Sequence, residues 1–293
     1  MKYHLRLNKY RVFRKTIALF QQAPRTLKRL SSSDNDYIIN PPLLCNSIPK
    51  SGTHLLLQIL EAIPNIRNYG TFLASTPAVT LKERSQNNTI YIIKRFVPGE
   101  IIPAHLYYYP NFMNELTQKN CLKFFIYRDP RDELLSEVLY ITHSYPTHRL
   151  HHYFAHKLRN LDERITVGIL GSKDSNLKNI YRNVAERYSR YCGWLNCEDI
   201  CAVKFEDLVG ANRYITLCHI AEFYINHTNP KLLDTRDLVQ RMEANINPAN
   251  SHTFRKGEVG GWKEVFTEKH KEQMKAVAGK LLVYLGYERN LDW

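Results

Sequence analysis

The sequence lacks any long uninterrupted apolar run. None of its stretches approaches the 18 or more consecutive apolar residues that a membrane-spanning helix needs. Its N-terminus has neither the apolar stretch nor the small-residue cleavage site of a secretory signal. Six cysteines in 293 residues are too few for a disulfide scaffold, which is typical of short secreted domains. These absences predict a cytoplasmic protein whose cysteines are reduced thiols.

Acidic residues are absent from the first 30 positions, which carry nine basic side chains. Since the whole chain has a net charge of +13, the remainder holds only about +4. A mildly basic body suits a pocket for a small polyanion better than a nucleic-acid groove. We interpret residues 1–36 as a basic arm and linker, and 37–293 as a single domain. The arm is either a solvated, partly helical extension or a surface that docks on anionic lipid or a partner.

Apolar residues make up 44% of the chain, which is enough for the core of one large α/β domain. The predicted strands are 43–46, 90–93, 121–127 and 200–205, and the predicted helices are 132–143, 176–194 and 268–285. Strands that alternate with helices predict a doubly wound, mainly parallel α/β sheet flanked by helices. Ligands bind such a sheet at the carboxyl ends of its strands.

Three short polar runs are spaced along this pattern. Pro49–His54 follows the first predicted strand and precedes a helical pattern, so its amides would lie at a helix N-terminus, where the dipole favours an anion. Tyr127–Asp132 ends the third predicted strand with an arginine. Arg255–Lys263 combines basic residues with three glycines, which suits a lid. Each run predicts a loop that holds phosphate.

In this order and at these distances, the three runs resemble the nucleotide-binding signature of the sulfotransferases that use 3'-phosphoadenosine 5'-phosphosulfate (PAPS). The resemblance extends from about residue 43 to about residue 285. It implies a P-loop NTPase-like sulfotransferase fold and transfer of a sulfonate group from PAPS to a hydroxyl or amine of a small-molecule acceptor. The product would be 3'-phosphoadenosine 5'-phosphate (PAP), and the family chemistry uses no metal.

The same resemblance assigns roles to individual residues. The Lys50 ammonium would reach the oxygen that bridges phosphate and sulfonate, while the loop amides and the Thr53 hydroxyl hold the 5'-phosphate. Arg128 can give the 3'-phosphate two parallel hydrogen bonds, and Ser136 would join it. The predicted donor-binding residues are Lys50, Ser51, Gly52, Thr53, His54, Arg128, Ser136, Phe205, Arg255, Lys256 and Gly257.

His105 is the predicted general base, and Lys50 and Ser136 complete the predicted catalytic set. Residues 103–110 resemble the family's His-Leu-Pro segment, which carries the catalytic histidine. An unperturbed imidazole pKa near ~6.5 suits proton removal at neutral pH. His54, which adjoins the phosphate loop, is the alternative base.

The chain departs from the family pattern at several positions. His54 and Leu55 replace a second threonine and an adenine-stacking tryptophan, so we predict that Phe205 stacks on the adenine. Glu268 replaces a valine of the family's dimerisation motif, which leaves monomer and homodimer open. The predicted acceptor pocket, which favours a compact hydroxylated or nitrogenous molecule, is formed by Phe72, Phe96, Tyr107, Tyr108, Tyr140 and His143.

Two other functions remain as alternatives at this point. A P-loop nucleotide kinase or NTPase would need the full Gly-x-x-x-x-Gly-Lys-Ser/Thr spacing, which the chain lacks. A binder of nucleic acid or of a membrane surface would act through the basic arm.

His152 and His156 have the spacing of a metal pair but no evident third ligand, so we predict no metal site.

Overall fold

A six-stranded, wholly parallel β-sheet organises the part of the chain that the computed structural model describes, which is residues 22–228, 233–247 and 258–293. Its strands are β1 Leu43–Ser47, β2 Arg67–Asn68, β3 Leu73–Ala74, β4 Glu100–His105, β5 Leu122–Tyr127 and β6 Cys201–Lys204. The spatial order is β2-β4-β1-β5-β6, and β3 also pairs with β4. Arg255, Lys256 and Gly257 lie outside the described residues.

Helices cover both faces of this sheet. They are α1 22–31, α2 Asp34–Ile39, α3 Thr53–Glu61, α4 Gln86–Ile93, α5 Pro110–Gln118, α6 Pro130–Leu139, α7 Leu161–Leu170, α8 Val184–Cys192, α9 Phe205–Val209, α10 Arg213–His227, α11 Thr235–Asn245, α12 Trp262–Val265 and α13 Glu268–Tyr284. Two π-helical turns, Tyr140–Ser144 and Tyr153–Lys157, and a 3-10 turn, Gly193–Asn196, complete the described helical structure. No helix in these ranges combines the length and apolar content of a membrane span.

The strand side chains divide between two hydrophobic cores. Leu44 and Phe125 point into the core beneath α6, α7, α8 and α13, whereas Leu43 and Phe124 point into the core beneath α3, α10 and α11. All four side chains are buried, because helices cover both faces. The sequences of the central strands are therefore largely apolar, with little alternation. The predicted doubly wound parallel fold is confirmed.

The prediction of a strand at 90–93 is wrong, because these residues close helix α4. The Ser85 side chain caps this helix by accepting from the Asn88 amide at 3.3 Å. Ile93 is fully buried while Tyr91 is 60% exposed, so the run has one inner and one outer side. A short apolar run does not distinguish a strand from a helix. The strand next to β1 is β4, which the sequence analysis missed.

Two other predicted boundaries change. The helix expected over 176–194 begins only at Val184, where the Asn183 side chain accepts from the Glu186 amide. The expected linker before residue 37 is largely helical, and its predicted end falls inside α2. Arg25 of α1 donates to the fully buried Glu100 carboxylate at 2.6 Å. The described part of the arm is therefore docked against the domain.

Candidate active site

A cavity of about 1020 Å³ opens at the carboxyl ends of the central strands. Residues that follow or end four strands line it: Lys50 after β1, His105 at the end of β4, Arg128 after β5, and Phe205 after β6. Ser136 of α6 lines it as well. Parallel strands place their carboxyl ends at one edge of the sheet, where α/β proteins bind ligands. The two predicted cationic residues of the donor site, Lys50 and Arg128, thus open into one cavity.

The loop between β1 and α3 has the backbone of an anion site. Lys50 and Gly52 both adopt positive φ, at 65° and 102°. Gly52 occupies the cap position of α3 and supplies no side-chain cap, so the positive end of the helix dipole can face an anion. The Ser51 Oγ is buried and has no hydrogen-bond partner in the described ranges. Such an orphaned donor fits a phosphate group.

The Lys50 ammonium lies over the Tyr140 ring, 3.9 Å from its centroid. Tyr140 begins the π-helical turn that continues α6. This cation–π contact brings a residue predicted for the acceptor pocket against the lysine predicted to act on the donor. The predicted donor and acceptor residues therefore meet at Lys50.

His105 is held by the strand beside it. Its Nδ1 lies 3.2 Å from the Ser47 carbonyl oxygen and 3.0 Å from the Ser47 hydroxyl. Since a carbonyl can only accept, we assign the hydrogen to Nδ1, which leaves a lone pair on Nε2. Burial lowers the pKa of His105 to about 4, and the positive charges of His54 and Lys50 act in the same direction. The imidazole is therefore neutral at neutral pH and able to accept a proton.

His54 lines the same cavity. The structure therefore brings both candidate bases to the site, and the Ser47 contacts orient the ring of His105.

Arg128 is the centre of a buried cluster at the end of β5. Its guanidinium lies over the Phe205 ring at 4.6 Å and donates to the Glu258 carbonyl oxygen at 2.5 Å. Asp132 lies 3.7 Å from the same guanidinium. The Arg128 Nε is buried without a hydrogen-bond partner in the described ranges, so it can still donate to a ligand.

Asp132 also fixes the glycine-containing third motif. Its carboxylate accepts from the amides of Gly260 at 2.7 Å and Trp262 at 3.0 Å. The segment that follows Arg255–Gly257 is thereby attached to the helix that follows Arg128. The second motif and the described part of the third, residues 258–263, therefore lie together.

Of the residues predicted for the acceptor pocket, Phe72, Tyr107 and Tyr140 line the cavity. The Phe72 ring meets the His105 ring edge to face at 4.9 Å, and the Tyr107 hydroxyl bonds the Thr76 hydroxyl at 2.9 Å. All three side chains therefore line the cavity, and the Phe72 ring lies beside the candidate base.

The other three predicted pocket residues lie elsewhere. Phe96 is fully buried in the core, because the preceding run is helical and turns its side chain away from the strand ends. Tyr108 packs edge to face on Trp194 at 5.8 Å, since neighbouring residues of an extended segment point in opposite directions. His143 is exposed in the π-helical turn and does not line the cavity.

The sequence analysis missed a charged wall of the cavity. Glu137 of α6 accepts from the Arg187 guanidinium at 3.1 Å and from the Tyr181 hydroxyl at 2.8 Å, and all three line the cavity. Glu133, one turn earlier on α6, lines it too and is only 4% exposed. Burial, and secondarily the charge of Glu137, raises the pKa of Glu133 well above its usual range. In the sequence, Glu133 and Glu137 lie one turn apart in a predicted helix, and nothing local distinguishes them from a solvent-exposed pair.

Within the described ranges, no group of three or more His, Cys, Asp or Glu side chains is arranged to hold a metal ion. The rings of His152 and His156 lie 5.4 Å apart, and His151 bonds the Ile141 carbonyl oxygen at 2.8 Å through Nδ1. These histidines therefore pack against one another and the backbone.

A parallel sheet with anion-binding loops at its strand ends defines a P-loop-like nucleotide fold. A family model described as "Sulfotransferase domain" matches residues 40–286, and the chain therefore belongs to the sulfotransferase family. This membership confirms the predicted family, the predicted fold class and the predicted enzyme class. Among curated proteins, no sequence matches the chain significantly.

Solved structures of similar fold agree with this assignment. Mouse sulfotransferase SULT7A1 complexed with PAP matches with a TM-score of 0.54 at 19% identity, over 87% of this chain and 89% of that chain. Retinol dehydratase in a complex with retinol and PAP matches with a TM-score of 0.53 at 15% identity, over 88% and 86%. Both relatives hold PAP, the product of the predicted donor.

Proposed function

We propose that this sulfotransferase transfers a sulfonate group from PAPS to a hydroxyl or amine of a small-molecule acceptor, with His105 as the general base. The observation that carries the proposal is the single cavity onto which Lys50, Arg128 and His105 all open. The family membership and the PAP complexes of structural relatives support the choice of donor.

The polar groups at the strand ends would fit the two phosphate ends of this donor, which supplies the sulfonate when bound. The amides at the start of α3 and the Ser51 hydroxyl suit the 5'-phosphate. Arg128 and Ser136 would hold the 3'-phosphate, and the Arg128 Nε still has a hydrogen to donate. The Lys50 ammonium would stabilise the negative charge that develops on the leaving phosphate.

His105 would remove the proton of the attacking hydroxyl or amine. Because Nδ1 donates its hydrogen to the Ser47 carbonyl oxygen, the lone pair that would accept the proton is on Nε2. The low pKa keeps the ring neutral before the reaction. Lys50 and His54 lower the pKa of His105, and the negative charge of the bound donor would offset this effect. The ring would therefore be a stronger base in the donor complex than in the free enzyme.

The proposal is tested by His105→Ala, with His143→Ala as a matched control because His143 is exposed and off the cavity. Turnover of PAPS with a phenol should fall about 10²–10⁴-fold for His105→Ala, because general-base catalysis is lost. The dissociation constant for PAP, measured by calorimetry, should stay near the wild-type value. EDTA should not change turnover, whereas a magnesium-dependent nucleotide kinase would lose it.

The pH profile provides a second check on the same residue. Since the pKa of His105 is lowered to about 4 in the folded protein, kcat/KM for the donor should remain high down to a pH below the usual imidazole pKa of about 6.5. An unchanged rate for His105→Ala would assign the base role to His54 or to water.

We also propose that the arm makes peripheral contact with anionic membranes. The enzyme itself would be cytoplasmic, and it would be a monomer or a homodimer. Leu27 and Leu30 are 68% and 75% exposed on α1. They accompany the nine basic side chains of the first 30 residues. Exposed leucines beside clustered positive charge suit the surface of an anionic bilayer.

A further inference from the structure

Arg84 differs from the other arginines that line the cavity in the described ranges, because it has no counter-ion. The other five lie 2.6–3.7 Å from a carboxylate oxygen: Arg128, Arg182, Arg187, Arg190 and Arg213. Every aspartate and glutamate of the chain lies within the described residues, and none of them forms an ion pair with Arg84. A cavity-lining guanidinium without a carboxylate partner is available to an anionic ligand.

Hydrogen bonds hold Arg84 beside the candidate base. Its Nε donates to the Ala74 carbonyl oxygen at 3.3 Å, and its backbone amide donates to the Ser75 carbonyl oxygen at 2.7 Å. Ala74 of β3 is the sheet partner of His105 on β4, and the Ser75 amide donates to the His105 carbonyl oxygen at 3.0 Å. Since paired strands lie about 4.8 Å apart, the Arg84 Nε is within about 11 Å of the His105 Cα.

The two terminal nitrogens of Arg84 are the part that a ligand can use. In the described ranges, Nε makes the one hydrogen bond of the guanidinium, and the group does not stack on a ring. Nη1 and Nη2 therefore present two parallel N–H groups at the cavity. This fork matches the two oxygens of a carboxylate.

The strand order separates Arg84 from the groups assigned to the donor. The loop that contains Lys50 follows β1, Arg128 follows β5, and the strands lie in the order β3-β4-β1-β5. Three strand spacings place the end of β3 about 14 Å from the end of β5. The strand that carries His105 lies between Arg84 and the proposed phosphate sites. The partner of Arg84 is therefore a group on the acceptor.

We propose that Arg84 binds a carboxylate of the acceptor, which makes the acceptors small hydroxy or amino acids. The inference rests on the proposed function, whose acceptor it narrows. The carboxylate would lie at a distance from the hydroxyl or amine that His105 deprotonates. The Phe72 ring, 4.9 Å from the His105 ring, offers an apolar surface for the part of the acceptor in between.

The test compares acceptors that differ in charge but not in shape: 4-hydroxyphenylacetate with its amide, and 3-(4-hydroxyphenyl)propanoate with its amide. The saturated linkers keep the acidity of the reacting hydroxyl nearly equal within each pair. For the wild type, kcat/KM should be at least about tenfold higher for the carboxylate of one pair, which is the effect of a charge-assisted hydrogen bond. The difference should lie mainly in KM, because the carboxylate is remote from the reacting atoms. Equal kcat/KM values within both pairs would overturn the inference.

Three variants assign the preference to Arg84. Arg84→Met should bring the ratio of carboxylate to amide close to one, whereas Arg84→Lys should retain part of it, because the charge remains without the fork. Arg182→Met is the matched control, since Arg182 lines the cavity but is paired with Glu186 at 3.6 Å. It should keep the wild-type ratio. A preference that survives Arg84→Met, or an equal loss in Arg182→Met, would refute the role.

Binding of PAP distinguishes this inference from the proposed function. The dissociation constant of Arg84→Met for PAP should match that of the wild type, and weaker binding would assign Arg84 to the donor and overturn the inference alone. A wild-type protein that binds PAP and sulfonates only the amides, or none of the four compounds, would show that the acceptor class is wrong. A protein that binds no PAP would overturn the donor assignment and, with it, the inference.

Discussion

Replacement of Gly52 by alanine should weaken both the fold and the donor site. Gly52 has a φ of +102°, a conformation that residues with a Cβ rarely adopt. A Cβ at this position would lie 2.6 Å from Cδ2 of Phe205 and 3.1 Å from Cδ1 of Ile126. The Arg128 guanidinium lies over the Phe205 ring. A shift of the ring would therefore move the cation that is proposed to bind the 3'-phosphate.

The expected loss has two parts. The backbone conformation costs an alanine about 1–2 kcal/mol. The contact with the buried Phe205 ring adds about 1–3 kcal/mol, as other forms of overpacking do. The free energy of unfolding should thus fall by about 2–5 kcal/mol. Displacement of Arg128 should weaken PAP binding at least about tenfold, which corresponds to about 1.4 kcal/mol.

Gly286→Ala is the matched control. Gly286 has a φ of +72°, and a Cβ there would meet only the flexible Lys204 ammonium at 3.3 Å. This variant should lose only the backbone part, about 1–2 kcal/mol, with unchanged PAP affinity. Urea unfolding measures stability and calorimetry measures the dissociation constant. Equal stability losses for the two variants, or wild-type PAP affinity for Gly52→Ala, would refute the reasoning.

Two further predictions concern the third motif and the arm. Asp132→Asn keeps only one acceptor oxygen for the Gly260 and Trp262 amides. PAP should therefore bind about 10–100-fold more weakly, as measured by calorimetry. Wild-type affinity, or an equal loss of affinity in the exposed control Glu264→Gln, would contradict this prediction. The full chain should co-sediment with vesicles that contain phosphatidylserine and less with pure phosphatidylcholine, in a salt-sensitive manner. Combined Leu27→Ser and Leu30→Ser substitutions should reduce the binding without changing PAP affinity, and unaltered sedimentation would contradict a role for α1.

Several features could be predicted because they depend on short, local patterns. The strand that became β5 is a single buried apolar run, and Arg128 follows it directly. The phosphate loop follows another such strand, and its glycine permits the positive φ that starts α3. Asp132, by contrast, bonds amides about 130 positions away, those of Gly260 and Trp262. Contacts over such separations leave no local pattern.

The amino-acid sequence alone determined the family and the parallel α/β architecture, and it predicted three loops that hold phosphate, because turn chemistry, strand burial and helix starts are encoded within a few neighbouring residues. Only the tertiary structure decided that 90–93 is helical, that Phe96 and Tyr108 are core residues, and that Glu133 opens onto the cavity. Those outcomes depend on which side of each element faces another distant element. That choice is made by packing of the whole domain, since local propensities leave either side available.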